Sequence, residues 1–122
     1  MKTEKQEKGQ SGEDLAVAYL TDNGYTILAR NWRIGHLEVD IIATNNDFLV
    51  IVEVKTRKSN VFGEPEEFVT VQKQRNLIRA AAAYITKFNI TKEVRFDILS
   101  VILGSNPNGE VRHIPDAFKP RW

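Results

Sequence analysis

The chain reads as one α/β domain: a mixed sheet of about five strands flanked by helices, in the order α-β-β-β-α-β-β. Three observations predict this. Two runs rich in Val, Ile and Leu, 37–43 and 48–55, are separated by Thr44-Asn45-Asn46-Asp47, a polar turn-former that makes them a hairpin. The period then changes, and Leu77, Ala81, Tyr84, Ile85 and Phe88 fall on one stripe of an amphipathic helix. A further β-rich run, Val94 to Leu103, follows that helix. The 122 residues suit a single domain.

The remaining elements follow in order. Residues 1–10 mix Lys, Glu and Gln with no apolar residue after Met1 and read as a flexible tail, leaving 11–122 as the domain. Ser11-Gly12-Glu13-Asp14 has the capping-box spacing, so a helix is expected through Leu15, Ala18, Tyr19 and Leu20, stopped by Asn23-Gly24. Tyr25 to Arg33 alternates as an extended segment, and Gly35 permits a turn into the hairpin. Residues 59–70 read as loop, and Thr70 is positioned to cap the long helix. Ser105-Asn106-Pro107-Asn108-Gly109 is a turn, Val111 to Ile114 a short last strand, and Pro115 and Pro120 make the tail irregular.

Composition narrows the function classes. There is no cysteine, which excludes disulfides and Cys-ligated zinc or iron–sulfur centres. The N-terminus lacks the apolar stretch of a signal peptide, and no apolar run approaches a membrane span of roughly 20 residues, so the expectation is a cytoplasmic protein with no membrane partner. A net charge of +1 does not decide for or against nucleic acid, because a nuclease keeps acids for metal and places its bases locally.

The chemistry concentrates in the hairpin. Residues two apart on a strand share a face. Glu38, Asp40 and Ile42 share one face of the first strand; Leu49, Ile51, Glu53 and Lys55 share one face of the second. If Ala43 pairs with Phe48, Glu38 lies opposite Glu53, with Asp40 on the diagonal. Clustered carboxylates repel. Lys55 offsets part of that charge, and a bound Mg²⁺ or Mn²⁺, which prefers oxygen ligands, would offset the rest. On this reading Asp40 and Glu53 are metal ligands and Lys55 orients water or stabilises phosphate charge. Glu13 can join if the first helix packs over this end of the sheet, and Glu38 is the more ambiguous acid. A lone Glu-x-Lys on a strand is ordinarily a solvated pair. Here it ends a run that looks central in a sheet, with an acid on the preceding strand. Asp97, flanked by apolar residues, reads as a structural acid paired with Arg95; Trp32 reads as a half-buried core residue before it reads as a base-stacking platform. His36 and His113 have no metal-ligand spacing and no assigned role.

At Glu38-Val39-Asp40-Ile41-Ile42-Ala43 and Val52-Glu53-Val54-Lys55-Thr56-Arg57 the sequence resembles the YraN-like family of small bacterial proteins. The resemblance extends to Gly12-Glu13, Phe62-Gly63, Pro65-Glu66-Glu67, Ala80-Ala81, Tyr84-Ile85, Arg95-Phe96-Asp97 and Ala117-Phe118. It implies the restriction-endonuclease-like core of the PD-(D/E)xK superfamily, related in fold to archaeal Holliday-junction resolvases. Val39 stands where the superfamily's name has proline, and His36 and Leu37 separate Gly35 from Glu38, where many members have Gly beside the acid. The implied function is a metal-dependent endonuclease acting on DNA, branched or damaged DNA included, with Asp40 and Glu53 as ligands of Mg²⁺ or Mn²⁺, Lys55 as catalytic lysine and Glu13 as a fourth member. Gln72, Lys73 and Gln74 open the long helix, where superfamily members carry polar or basic residues facing the site. Arg33, Arg57 and Lys73 are candidate phosphate contacts. The alternative is a non-catalytic nucleic-acid-binding module on the same fold. The residues alone do not separate DNA from RNA, and oligomeric state, a homodimer included, stays open.

Overall fold

The computed structural model describes residues 4–58, 69–104 and 109–120, with side chains described from Gly12 onward. Seven elements occur in the expected order: α1 (Glu4–Asp22), β1 (Thr26–Ile34), β2 (Leu37–Thr44), β3 (Phe48–Arg57), α2 (Val71–Phe88), β4 (Glu93–Ile102) and β5 (Glu110–Phe118). The strands form one sheet in chain order. Every neighbouring pair is antiparallel except β3 and β4, which run parallel because α2 carries the chain back between them. The expected loop over 59–68, with its Phe62-Gly63 and Pro65-Glu66-Glu67 segments, and the expected turn over 105–108 lie outside the described residues.

One helix covers each face. Leu77, Ala80, Ala81 and Tyr84 of α2 bury against Val39, Ile42, Leu49, Ile51 and Phe96. Ala16 and Leu20 of α1 bury against Ile41, Ala43, Val50, Val52, Leu99 and Val101. The middle strands are therefore apolar on both faces, as a sandwiched sheet requires. Trp32 packs edge-on against Tyr84, 5.3 Å between ring centres, which makes it a core residue.

Helix α2 has the expected limits. Thr70 Oγ1 accepts from the Lys73 N–H at 3.1 Å, and Asn89 closes the helix in the left-handed region at φ 52°, donating to the Ile85 carbonyl. Phe88, expected in the buried stripe, is 49% exposed. Helix α1 begins at Glu4, ahead of the Ser11 capping signal, because Glu, Lys and Gln propagate a helix readily. Its buried line is Gly12, Ala16 and Leu20, while Ala18 faces solvent. Gly12 is required by close approach: a Cβ there would lie 2.4 Å from Thr56 Oγ1 on β3.

Three expectations about the sheet are corrected. The hairpin pairs Thr44 with Leu49 and Ala43 with Val50, two residues from the expected register. The reason is Asn45, whose side chain accepts from the Asp47 and Phe48 N–H groups and closes a shorter loop. A shift of two preserves faces. Second, β2 does not alternate strictly. Val39 joins the α2 side and Ile41 the α1 side. The irregularity sits at Asp40, across from Asn31, which takes a left-handed φ of 51° between the pairs Arg30↔Ile41 and Trp32↔Val39. Third, the last strand continues through Pro115 to Phe118. Being at the sheet edge, it tolerates proline; between Ile98↔Ile114 and Phe96↔Phe118 it bulges, with Asp116 at φ 54°.

Candidate functional site

The irregularity in β2 decides where Asp40 points. Regular pairing of β2 with β3 ends at Ile41↔Val52. One step further, the Val54 N–H donates to Asp40 Oδ2 at 2.8 Å, so a carboxylate takes the place of a ladder carbonyl. Asp40 is thereby pinned against β3, where its charge acts on the Glu53 carboxyl. Glu38, placed opposite Glu53 by the expected register, instead pairs with Arg33 at 3.2 Å on the exposed rim.

Burial, and then the Asp40 charge and its hydrogen bond, push the Glu53 carboxyl up to about 7; Lys73 opposes this only in part. The Glu53 side chain is only 12% exposed, and Lys73 Nζ lies 3.5 Å from its Oε2. Lys73 reaches Glu53 because the first turn of α2 crosses this end of the sheet. Lys55 follows on the same face as Leu49, Ile51 and Glu53, half-buried, in register with Ser100 of β4. The Ser100 hydroxyl is fully buried and has no hydrogen-bond partner among the described residues. An orphaned buried hydroxyl is uncommon, and this one sits beside Lys55. Asp40, Glu53 and Lys73 thus meet at the end of the β2–β3 pair, with Lys55 two residues beyond Glu53 on the same strand.

The other expected members make contacts of their own, and Glu13 reaches Asn31, which lies across from Asp40. Glu13 accepts from Arg30 Nε and Asn31 Nδ2, both at 3.0 Å, and is held in that cluster together with Asp14. Among the described residues no group of three or more His, Asp or Glu side chains is arranged to hold a metal ion. Gln72 donates to Asn76 on the outer side of α2. Gln74 is bonded to the Val69 carbonyl. Arg57 is half-buried at the end of β3, and Arg33 is engaged by Glu38.

A second polar cluster, unread in the sequence apart from the Arg95–Asp97 pair, lies between α1, β4 and β5. Arg95 bonds both oxygens of buried Asp97 at 2.9 and 2.7 Å, and His113 Nε2 lies 2.7 Å from Asp97 Oδ2. The Asp116 N–H donates to Asp97, Tyr19 Oη lies 3.0 Å from His113 Nδ1, and Arg95 donates to Tyr25 Oη. Burial alone would raise the Asp97 carboxyl; hydrogen bonds from His113, Arg95 and the Asp116 N–H outweigh it and hold it below the usual range. Asp97 amid apolar neighbours was the available signal. His113 gave none, because its partners lie far away in sequence. The left-handed Asp116, set by the bulge around Pro115, aims the N–H inward, so this cluster ties the edge strand to the core.

A five-strand mixed sheet with one helix on each face places the chain among mixed α/β proteins. The chain belongs to uncharacterised protein family UPF0102, whose model matches residues 12–101. It is 51% identical over 117 residues to a UPF0102 protein of Bacteroides thetaiotaomicron, covering 96% of each chain. It is 46% identical to one from Persephonella marina (91% of this chain, 92% of that one) and 43% identical to one from Rhodococcus opacus (90% and 94%). A calcium-bound structure of Pyrococcus furiosus SfsA aligns with a TM-score of 0.35 and 19% identity over 88% of this chain and 62% of that one, too low to bear on the fold. No helix among the described residues is long and apolar enough to cross a membrane.

Proposed function

We propose that the chain is a cytoplasmic, metal-dependent endonuclease of the PD-(D/E)xK type that hydrolyses phosphodiester bonds in nucleic acid, with DNA as the favoured substrate. The observation that carries this reading is the Glu53 carboxyl, 12% exposed with Lys73 Nζ 3.5 Å away, which burial and the Asp40 charge push up to about 7. A carboxylate pair that crowds a proton in this way fits a hard divalent cation, which binds through one or two carboxylates and completes its shell with water and phosphate. Asp40 and Glu53 are the residues that would hold Mg²⁺ or Mn²⁺. When bound, such an ion polarises a phosphoryl oxygen and lowers the pKa of water.

This chain's own groups supply the rest. The Val54 N–H keeps Asp40 against β3. Lys55 presents an ammonium beside the pair, suited to charge that builds on the phosphate oxygens. Lys73 balances Glu53 in the free protein and becomes available to a phosphate once that carboxylate is otherwise neutralised.

The test is a cleavage screen of single-stranded, duplex and junction DNA and RNA with Mg²⁺ and Mn²⁺, beside thermal melts with and without each metal. Cleavage lost in Asp40→Asn, and a metal-induced rise in Tm absent from that variant, are the expected results. Neither cleavage nor a Tm response in the wild type would overturn the reading. A second reading, a nucleic-acid-binding module without catalysis, is favoured by one observation: Lys73 already sits where a cation would offset Glu53. Tight binding without cleavage or metal response would establish it.

A further inference from the structure

Helix α2 carries Lys73, Arg75, Arg79 and Lys87 and not one acidic residue. Surface helices ordinarily balance such charge through pairs one turn apart. Here Lys73 turns in toward Glu53, while Arg75 and Arg79 stand one turn apart on the side away from the sheet, exposed, with no hydrogen bond or ion pair to any described residue. They line a groove of about 970 Å³ together with Gln72, Gln74, Ile78 and Lys119. No acid lines it. An adjoining hollow of about 690 Å³ shares Lys119 but differs in character. Its Lys92 is bonded to Thr44 and Asn45, its Arg95 to Asp97 and Tyr25, and Glu93 and Asp116 line it as well. Of these two hollows, the Arg75–Arg79 groove is the one whose arginines have no acid among the described residues.

We infer that this groove is a track for the phosphodiester backbone of the nucleic-acid strand, outside the carboxylate cleft; the inference rests on the nuclease reading of that cleft and assigns its flanking contacts. Two unpaired guanidiniums on one strip match successive phosphates, each able to bind phosphate oxygens in a bidentate fork. The Gln72 and Gln74 amides add donors, and Ile78 and the exposed Val71 offer apolar surface to sugars. A lipid surface fits less well, because the apolar face of α2 is spent on the core and the large exposed apolar residues of the helix, Val71 and Phe88, stand at its opposite ends rather than along one strip. Lys73 and Arg75 lie on nearly opposite sides of a helix about 10 Å across. The groove therefore takes phosphates that flank the one at Glu53, across the width of the helix.

The experiment measures binding of the full chain to a fluorescein-labelled 20-nucleotide single strand and its duplex, in EDTA, across a salt series. Arg75→Gln/Arg79→Gln is compared with wild type and with Lys87→Gln at the far end of the same helix. Loss of two phosphate contacts flattens the slope of log K against log salt by about 1.8 on duplex and about 1.4 on single strand. Kd should weaken at least tenfold at low salt while Tm stays unchanged. A slope within 0.5 of wild type, or an equal change in Lys87→Gln, overturns the track. So does loss of binding to phosphatidylserine vesicles with DNA binding intact. Wild-type cleavage with an unaltered slope in the double variant sinks the groove and spares the nuclease reading; the expected slope change without any cleavage does the reverse.

Discussion

Glu53→Gln should stabilise the metal-free protein at and above neutral pH. In the folded chain Glu53 binds its proton up to about 7, whereas an unhindered glutamate releases it near 4.5. Below pH 4.5 both states are protonated and nothing is lost. Between 4.5 and 7 the folded state holds a proton that the unfolded state has released, so stability falls as pH rises, and the full cost is reached above 7. At 1.36 kcal/mol per pH unit the cost is about 3 kcal/mol. The side chain is 12% exposed, so little of this is screened away. Glutamine keeps the shape and a hydrogen-bond donor toward Asp40 but removes the ionisation. For 122 residues, 3 kcal/mol corresponds to a Tm gain of about 10 °C at pH 8. The assay is thermal or urea unfolding of wild type and Glu53→Gln from pH 4 to 8.5 in EDTA. The two should agree near pH 4.5 and diverge to a plateau above 7. Parallel profiles would refute the reasoning, because Glu53 would then ionise like an ordinary carboxylate and the pair would not be crowded.

Two further outcomes follow from packing and polar networks. Asp97→Ala strands a half-buried Arg95 and removes the anchor of His113 and the Asp116 N–H, so it should cost about 3 kcal/mol by urea unfolding. Because the Asp97 carboxyl is held below its ordinary value, its contribution is present above the unfolded pKa and is lost as pH falls through the folded one; acid unfolding of Asp97→Asn should lack that step. Gly12→Ala, a change that normally stabilises a helix interior by about 1 kcal/mol, should instead destabilise by about 1–3 kcal/mol, with partial recovery in Gly12→Ala/Thr56→Ala. Destabilisation unchanged by the second substitution would mean that α1 and β3 do not meet at that point.

What the sequence determined by itself was whatever short-range periodicity and local hydrogen bonding control. The limits of α2 were legible from Thr70 and the 3.6-residue stripe, the end of α1 from Asn23-Gly24, the hairpin from two apolar runs around polar residues, and the shared face of Glu53 and Lys55 from their spacing. Only the tertiary structure decided how those pieces meet. The Asn45 side chain set the register by closing a shorter loop, and the Asn31–Asp40 irregularity re-aimed Asp40 at the Val54 N–H, which brought it rather than Glu38 to Glu53. Packing of the first turn of α2 across the sheet carried Lys73 to Glu53, and packing of α1 turned Glu13 toward Arg30 and Asn31. The Tyr19–His113–Asp97 chain joins residues 94 and 16 positions apart, beyond the reach of any local pattern. A side chain's face repeats every two or four residues and can be read from the chain; its partner depends on long-range pairing and bulges that no single segment specifies.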